Sequence, residues 1–129
     1  MKTEEFRRKL IEEKYLRRWI SKGTWSWNND GSINVEGGIQ INDKFSKLPF
    51  KFRKVSLWFQ INNVGLTTLE NCPEEVGGFF GCEWNKLTSL EYSPKIVKES
   101  YFIGNNIGKK FTKEDVKKVC KINYHWINV

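Results

Sequence analysis

Two similar stretches, LTTLENCPEEVGG (residues 66–78) and LTSLEYSPKIVKE (residues 87–99), begin 21 residues apart. Six apolar or proline positions of this region recur with the same character at that interval. The matched pairs are Leu66 and Leu87, Leu69 and Leu90, Pro73 and Pro94, Val76 and Val97, Phe80 and Tyr101, and Cys82 and Ile103. A fixed period of this length is typical of a solenoid, in which each repeat forms one turn.

The same period extends toward the N-terminus. One period before the first stretch every slot is again apolar, with phenylalanine in place of proline; the residues are Phe45, Leu48, Phe52, Val55, Phe59 and Ile61. A degraded turn precedes them, since Ile39 and Ile41 lie 20 residues before Phe59 and Ile61. We therefore predict about four turns across residues 30–111.

Each turn contains two apolar residues separated by one position, which predicts a short strand with one face inward. The pairs are Phe59/Ile61, Phe80/Cys82 and Tyr101/Ile103. Stacked in register, these strands form a small parallel sheet, and the Leu-x-x-Leu segments with the following proline form the return path. Asn63, Asn85 and Asn106, near the strand ends, are expected to hydrogen-bond the turn backbone.

The N-terminal residues 1–22 are predicted to form a helix that caps the first turn, because an open solenoid end must be covered. Thr3 is the expected N-cap, and Gly23 ends the helix. An apolar stripe at helical spacing faces the first turn; it consists of Ile11, Tyr15, Leu16, Trp19 and Ile20.

The C-terminal residues 112–129 are predicted to form a second cap, a helix followed by an edge strand. Thr112 and Asp115 have the spacing of a capping box, and the buried side of the helix is assigned to Val116, Val119 and Cys120. The final segment INYHWINV alternates like a strand. The expected faces are Ile122, Tyr124, Trp126 and Asn128 on one side and His125 on the other.

Length and composition indicate one domain. The chain has 129 residues, is 39% hydrophobic and contains six Trp, nine Phe and four Tyr, so some aromatic surface should remain after one core is filled. No apolar run approaches the roughly 18 residues of a membrane span, and the charged N-terminus does not resemble a signal peptide. The three cysteines, Cys72, Cys82 and Cys120, are expected to be reduced thiols of a cytosolic protein that pack as small apolar residues in its core.

The charge of +7 is concentrated at the two ends of the chain. Residues 1–22 carry eight basic and four acidic side chains, whereas residues 55–108 carry three basic and six acidic ones. Phosphate binding relies on clustered Lys and Arg, so the central turns do not resemble a nucleic-acid surface. The alternative is a nucleic-acid-binding protein that uses its basic terminal segments, with Trp25, Trp27 and the Lys-rich C-terminal helix.

No catalytic, metal-binding or cofactor-binding pattern is found in the sequence. It contains no Gly-rich phosphate loop, no Cys or His group at metal-ligand spacing and no nucleophile elbow. Cys120 and His125 lie on the predicted cap without a third orienting group. The sequence therefore favours a binding protein over an enzyme, with no cofactor expected.

The repeat region resembles the leucine-rich-repeat-like proteins of tailed bacteriophages. The segment KLPFKFRKVSLWFQINNVGLTTLENCPEEVGGFFGCEWNKLTSLEYSP (residues 47–94) is similar to repeats of the form L-T-S-L-E-G-x-P-x-x-V-G-G-x-F-x-C-x-x-N, and the similarity covers about residues 30–121. The resemblance implies a short α/β leucine-rich-repeat-like solenoid that acts in the cytoplasm of an infected bacterium. It does not specify a function, because such repeats are scaffolds.

Strand alternation places a second set of residues on the open face of the predicted sheet. The expected outward rows are Gly38, Trp58, Phe79 and Ser100; Gln40, Gln60, Gly81 and Phe102; and Asn42, Asn62, Glu83 and Gly104. In the resembling family the slot held here by Trp58 and Phe79 is commonly small or polar. We predict an aromatic anchor of Trp58, Phe79 and Phe102, a polar rim of Gln60, Asn62 and Glu83, and an extension at Trp84.

The predicted function is a protein interaction module of phage origin that binds, and inhibits, a host bacterial protein such as a component of a defence system. Exposed aromatic patches mark contact sites. One alternative is that the N-terminal helix folds over the aromatic face and buries it as core. Another is a self-associating structural protein whose partner is its own patch.

Overall fold

Each turn of the chain contains two short strands, and equivalent strands of successive turns pair in parallel to form two sheets. The computed structural model describes residues 3–123 and 126–129. Sheet A has the order β1 (Gly23–Trp27), β2 (Ile33–Gly37), β4 (Phe52–Val55), β6 (Glu75–Val76), β8 (Ile96–Val97) and β10 (Lys121–Ile122). Sheet B has the order β11 (Trp126–Asn128), β9 (Ser100–Phe102), β7 (Phe80–Gly81), β5 (Phe59–Gln60) and β3 (Ile39–Gln40).

Helices occur near both ends. The N-terminal helix consists of α1 (Glu4–Ile11), a π-helical turn (Glu12–Leu16) and α2 (Arg17–Trp19), and α3 (Lys113–Val119) precedes β10. Strand β1 pairs antiparallel with β2, and the remaining pairs are parallel. The predicted α/β solenoid of about four turns with helices near its two ends is confirmed.

The inward column of sheet B is the one that the repeat predicts. Phe59 is in register with Ile39 and Phe80, and Phe80 with Tyr101. These four side chains have no exposed surface, and neighbouring rings contact one another, with 6.2 Å between the centroids of Phe59 and Phe80. Burial of such aromatic surface is the main favourable contribution to folding.

Sheet A is not predicted by the sequence pattern. Its inward column contains Val55, Val76, Val97 and Ile122, all buried and in register. Around Val76 and Val97 the residues two positions away are polar or glycine, so β6 and β8 lack the apolar pair that reveals the strands of sheet B. The valines of the repeat therefore form a second sheet, whereas the sequence pattern predicts only a single sheet.

Asparagine hydrogen bonds link successive turns, as predicted for Asn85 and Asn106. The side-chain oxygen of Asn85 accepts bonds from the backbone N–H groups of Val64, Gly65 and Leu66 at 3.0–3.1 Å. The prediction for Asn63 is wrong, because Val64 holds the equivalent slot one turn earlier. Asn63 is exposed and adopts the left-handed conformation, with φ of 53°.

The N-terminal helix packs on the first turn, as its apolar stripe predicts. Leu16, Trp19 and Ile20 are buried, whereas Ile11 and Tyr15 are partly buried against the core. Thr3 is the N-cap, and its hydroxyl oxygen accepts a bond from the N–H of Phe6 at 3.1 Å.

The helix α3 has the predicted capping box. The N–H of Asp115 donates to Thr112 Oγ1 at 3.1 Å, and the N–H of Thr112 donates to the Asp115 carboxylate at 2.8 Å. Val116 and Cys120 are buried, as predicted. The assignment of Val119 to the buried side is wrong, because this residue is 36% exposed.

The predicted single edge strand at the C-terminus is also wrong. Residues 121–122 pair with sheet A and residues 126–128 pair with sheet B, so this segment adds a strand to each sheet. Ile122 and Ile127 are buried, while Trp126 and Asn128 are exposed, so the segment does not follow the single alternation that the sequence predicts. The predictions for Tyr124 and His125 lie outside the described residues.

Candidate binding surface

The outer face of sheet B carries the residues that alternate with its buried column. Its first row contains Gly38, Trp58, Phe79, Ser100 and Trp126, and its second contains Gln40, Gln60, Gly81, Phe102 and Asn128. The first four members of each row match the predicted rows. Parallel strands lie about 4.8 Å apart, so side chains in one row are direct neighbours.

Trp58, Phe79 and Phe102 form a continuous group of rings, which we call the aromatic cluster. The centroids of Trp58 and Phe79 are 6.4 Å apart with 12° between the planes, an approximately parallel arrangement. Phe79 and Phe102 meet edge to face, with centroids 5.9 Å apart and planes at 68°. Trp58 is 37% exposed, and the two phenylalanines are half-buried. The predicted anchor is thus assembled on one face.

Hydrogen bonds of the parallel ladder hold the backbone that carries the aromatic cluster. The N–H of Ile39 donates to the carbonyl of Trp58 at 3.0 Å, and the N–H of Phe59 donates to the carbonyl of Phe79 at 3.0 Å. The backbones of Trp58 and Phe79 are therefore held by the parallel ladder, as is that of Phe102, whose carbonyl accepts from the N–H of Cys82 at 2.8 Å. A partner would meet an aromatic surface whose backbone is already ordered, which lowers the entropic cost of binding.

The predicted polar rim lies next to this cluster. The side-chain oxygen of Asn62 accepts a bond from the N–H of Glu83 at 2.8 Å. The Glu83 carboxylate lies close to Gly104. A Cβ atom added to this glycine would be 3.2 Å from Oε2 of Glu83. Asn62 therefore positions the backbone of Glu83, while Gln60 is half-buried in the second row.

Trp84 lies in the turn that follows sheet B and has an unfavourable backbone conformation. It is 54% exposed, with φ of 60°, in the left-handed region that bulky residues rarely adopt. The equivalent residues of the neighbouring turns, Asn63 and Asn105, share this conformation, and Asn tolerates it better. Within the described residues, no ring contact joins Trp84 to the aromatic cluster.

Two exposed apolar residues of this region are not among the predicted site residues. Trp126, 63% exposed, is in register with Ser100 at the end of the first row. Leu57 is 47% exposed and directly precedes Trp58 at the corner between the sheets. The period of 21 residues cannot find Trp126, because it follows Ser100 by 26 residues.

The N-terminal helix does not bury the aromatic cluster. Its rings pack instead on the return segment of the first turn, where the centroids of Trp19 and Phe50 are 5.6 Å apart and those of Tyr15 and Phe45 are 5.9 Å apart. Asp43 fixes this arrangement by accepting a bond from the indole N–H of Trp19 at 2.9 Å. The outer face of sheet B is left open.

The tryptophans of the nucleic-acid alternative take part in attaching the helix. The indole N–H groups of Trp25 and Trp27 donate to the same oxygen of Glu12, at 2.8 and 2.9 Å. Arg17 lies over the ring of Trp25 at 5.7 Å, and Arg8 over the ring of Trp27 at 5.1 Å. One face of each of these two rings is therefore occupied by one of the protein's own arginines.

Burial acts to raise the pKa of Glu12, but the two indole hydrogen bonds and the charges of Arg17 and Lys9 together hold this pKa below its ordinary value. The carboxylate is thus ionised at neutral pH. It acts as a common acceptor that joins the N-terminal helix to β1.

The cysteines lie in the core, as expected. Cys72, Cys82 and Cys120 are free and buried. Burial raises the pKa of the Cys72 and Cys82 thiols far above the ordinary value, and it raises the pKa of Cys120 to about 12. Thiols in this state are poor nucleophiles and poor metal ligands.

The described part of the chain contains neither a group of three potential metal ligands nor a helix that could span a membrane. None of its groups of His, Cys, Asp or Glu has three members placed to hold a metal ion. None of its helices is long and apolar enough to cross a membrane.

Comparison of the chain with protein-family models, with curated proteins and with solved structures gives no match.

Proposed function

We propose that this protein is a binding module that attaches to a partner protein through the aromatic cluster on the outer face of sheet B. One observation carries the proposal: Trp58, Phe79 and Phe102 are in ring contact on an open face, although the core beneath them is already filled by another aromatic column. Tryptophan is the residue most enriched at binding hot spots. Clustered exposed rings in a soluble chain are typical of contact sites.

The charges of the two sheets favour a protein partner over a nucleic acid. Among the described residues in the outer rows of sheet B there is no Lys or Arg, and Glu83 supplies a negative charge at the rim. Sheet A carries Lys54 and Lys121 in one outward row, although Glu75 lies between them. A phosphate backbone would require basic side chains at the contact, whereas an apolar partner patch would not.

The mode of action is steric. The aromatic cluster would insert into an apolar patch of the partner, and Gln60 and Glu83 would bond to polar groups around it. On the resemblance to phage repeat proteins, the partner is a protein of the infected bacterium, in whose cytoplasm the module acts. Covering a functional surface of that protein would inhibit it, with no catalytic step and no cofactor.

The test is affinity capture from a bacterial lysate with the wild type beside Trp58→Ala/Phe79→Ala. The matched control is Tyr92→Ala, which removes an aromatic side chain of 53% exposure away from sheet B. We expect a discrete protein that the wild type and Tyr92→Ala retain and that the double variant loses, with each variant folded by circular dichroism. Its retention should survive nuclease treatment and high salt.

Three results would contradict the proposal. Salt-sensitive capture of nucleic acid that is unchanged by the double variant would move the function to the basic ends. Retention of the same protein by the double variant would place the contact on another surface. Concentration-dependent dimers in size-exclusion chromatography, abolished by the double variant, would identify a second copy of the chain as the partner.

A further inference from the structure

The C-terminal end of the solenoid, where both sheets stop, contains an open depression of about 710 Å³. Its floor consists of Cys120, Ile122 and Ile127, each less than a tenth exposed, and the exposed side chain of Val119 on α3 adds an apolar wall. A solenoid end without a complete cap leaves its last strands without neighbours. The N-terminal end, by contrast, is covered by the helix that packs on Phe45 and Phe50.

The hydrogen-bond pattern of sheet A shows which backbone groups point out of this end. The inward residue of each strand bonds toward the next turn: the carbonyl of Val55 accepts from Gly77 at 2.8 Å, and that of Val76 accepts from Lys98 at 3.0 Å. The carbonyl of Val97 accepts in the same way from Asn123, at 3.4 Å.

Ile122 is the next residue of this column, and the sheet order ends at its strand, β10. Its N–H and C=O therefore point away from β8, toward the place where a further strand would lie. Such an edge is a template for strand addition, in which main-chain hydrogen bonds supply affinity. The backbone of Lys121 is already occupied on the other side, since its N–H donates to the carbonyl of Lys95 at 2.9 Å.

The rim of the depression is basic. Lys117, Lys118 and Lys121 line it, and no Asp or Glu does so among the described residues. The Nζ atom of Lys117 lies 3.6 Å from Oε1 of Glu114. No described carboxylate lies within ion-pair distance of Lys118 or Lys121. A second copy placed end to end across a two-fold axis would bring these lysines together, and the like charges would repel.

We propose that the edge of β10 is a second docking site, which binds an extended peptide segment with acidic side chains as an added strand. The peptide backbone would pair with the N–H and C=O of Ile122, apolar side chains would cover Val119 and Ile122, and carboxylates would pair with Lys118 and Lys121. This site is on a different sheet and at a different end from the aromatic cluster, so it does not depend on the function proposed above.

The test is NMR titration of the isotope-labelled full chain with a synthetic decapeptide of alternating Glu and Val. We expect saturable chemical-shift changes around β10 and slower hydrogen exchange of the Ile122 amide when the peptide is bound. The Asn123 amide, which already donates to the carbonyl of Val97, is the internal reference for the exchange rate. The same peptide with N-methyl groups at every residue should bind at least tenfold more weakly, because no backbone N–H remains to donate to the carbonyl of Ile122. A decapeptide of alternating Lys and Val should also bind at least tenfold more weakly than the Glu/Val peptide, because its charges repel the lysines of the rim.

Protein variants separate this site from the others. Lys118→Glu/Lys121→Glu should weaken binding of the acidic peptide at least tenfold, whereas the charge-matched control Lys54→Glu/Lys86→Glu, far from the depression, should leave it unchanged. Trp58→Ala/Phe79→Ala should also bind normally. Equal binding of the acidic and basic peptides, or shifts without protection of Ile122, would overturn the proposal. Protection of Ile122 that rises with protein concentration in the absence of peptide would overturn it in favour of a second copy.

Discussion

The indole ring of Trp58 occupies the space in which a side chain at Gly38 would lie: a Cβ atom on Gly38 would be 2.1 Å from Trp58 Cε2. The two residues are neighbours in the first outward row of sheet B. Gly38 does not have a positive φ, so its role is to leave room for the ring. The exposed position of Trp58 thus depends on a residue one turn earlier.

Gly38→Ala should therefore reduce partner binding without unfolding the protein. The methyl group would displace the Trp58 ring, which lies at the surface and can move, so we expect a change in the free energy of unfolding of less than about 1 kcal/mol. Affinity for a captured partner should fall at least tenfold. Ser100→Ala, in the same row, is the control and should bind normally; equal affinity of both variants would show that the ring position is unimportant.

Adjacent phenylalanines should differ strongly in their effect on stability. Phe80→Ala removes a fully buried ring and should lower the free energy of unfolding by about 3–5 kcal/mol, since a cavity is left in the core. Phe79→Ala removes a half-buried ring from the outer face and should cost about 1 kcal/mol. Urea unfolding measures both, and a cost at Phe79 equal to that at Phe80 would mean that the aromatic cluster is core.

Trp84→Asn should stabilise the protein, because it places at φ of 60° the residue type found at both equivalent turns. The expected gain in the free energy of unfolding is about 0.5–1 kcal/mol, which corresponds to relief of left-handed strain at a bulky residue. Thermal unfolding checks the prediction. A loss of stability would indicate that the indole makes packing contacts that outweigh the strain.

Asn85→Ala should be far more damaging than Asn106→Ala. Asn85 is fully buried, and its removal leaves the N–H groups of Val64, Gly65 and Leu66 without their acceptor, at a cost of about 3–5 kcal/mol. Asn106 is half-buried, and water can replace its bonds to Leu87, so about 1–2 kcal/mol is expected. Equal costs in urea unfolding would argue against a buried asparagine as the main link between turns.

Attachment of the N-terminal helix should weaken in acid. The pKa of Glu12 is lower in the folded chain than its ordinary value, so its ionised form stabilises the fold. This contribution is fully present above about pH 4.3, the unfolded pKa, and is lost as pH falls through the folded pKa. Between pH 6 and pH 3 the free energy of unfolding should therefore fall less for Glu12→Gln than for the wild type. We expect the two decreases to differ by about 1 kcal/mol.

Tryptophan fluorescence is the appropriate probe for this comparison, because Trp25 and Trp27 both donate to Glu12. Other acidic groups with lowered pKa, such as Asp43 and Asp115, are common to both proteins and cancel in the difference. Identical pH profiles of the two proteins would mean that Glu12 does not link the helix to β1.

Much of the fold could be predicted from the sequence because the repeat preserves the side chains that must be buried. Phe59, Phe80 and Tyr101 recur at one interval, and burial of equivalent residues in each turn requires equivalent backbone positions. The outward positions of Trp58 and Phe79 follow from strand alternation, which is local. The period thus determined the solenoid, the inward column of sheet B and the composition of its outer face.

Tertiary structure decided what the repeat leaves unspecified. Each turn contributes a single apolar residue, such as Val76 or Val97, to the inward column of sheet A, and one residue gives no alternation. This sheet becomes visible only when the stacked turns bring their backbones together. The helix lies on Phe45 and Phe50 rather than on Trp58 because of long-range packing. Pairing of β11 with β9 places Trp126 beside Ser100 on the outer face of sheet B. Local spacing specifies which residues are buried, whereas contacts between distant segments decide which faces remain open for a partner.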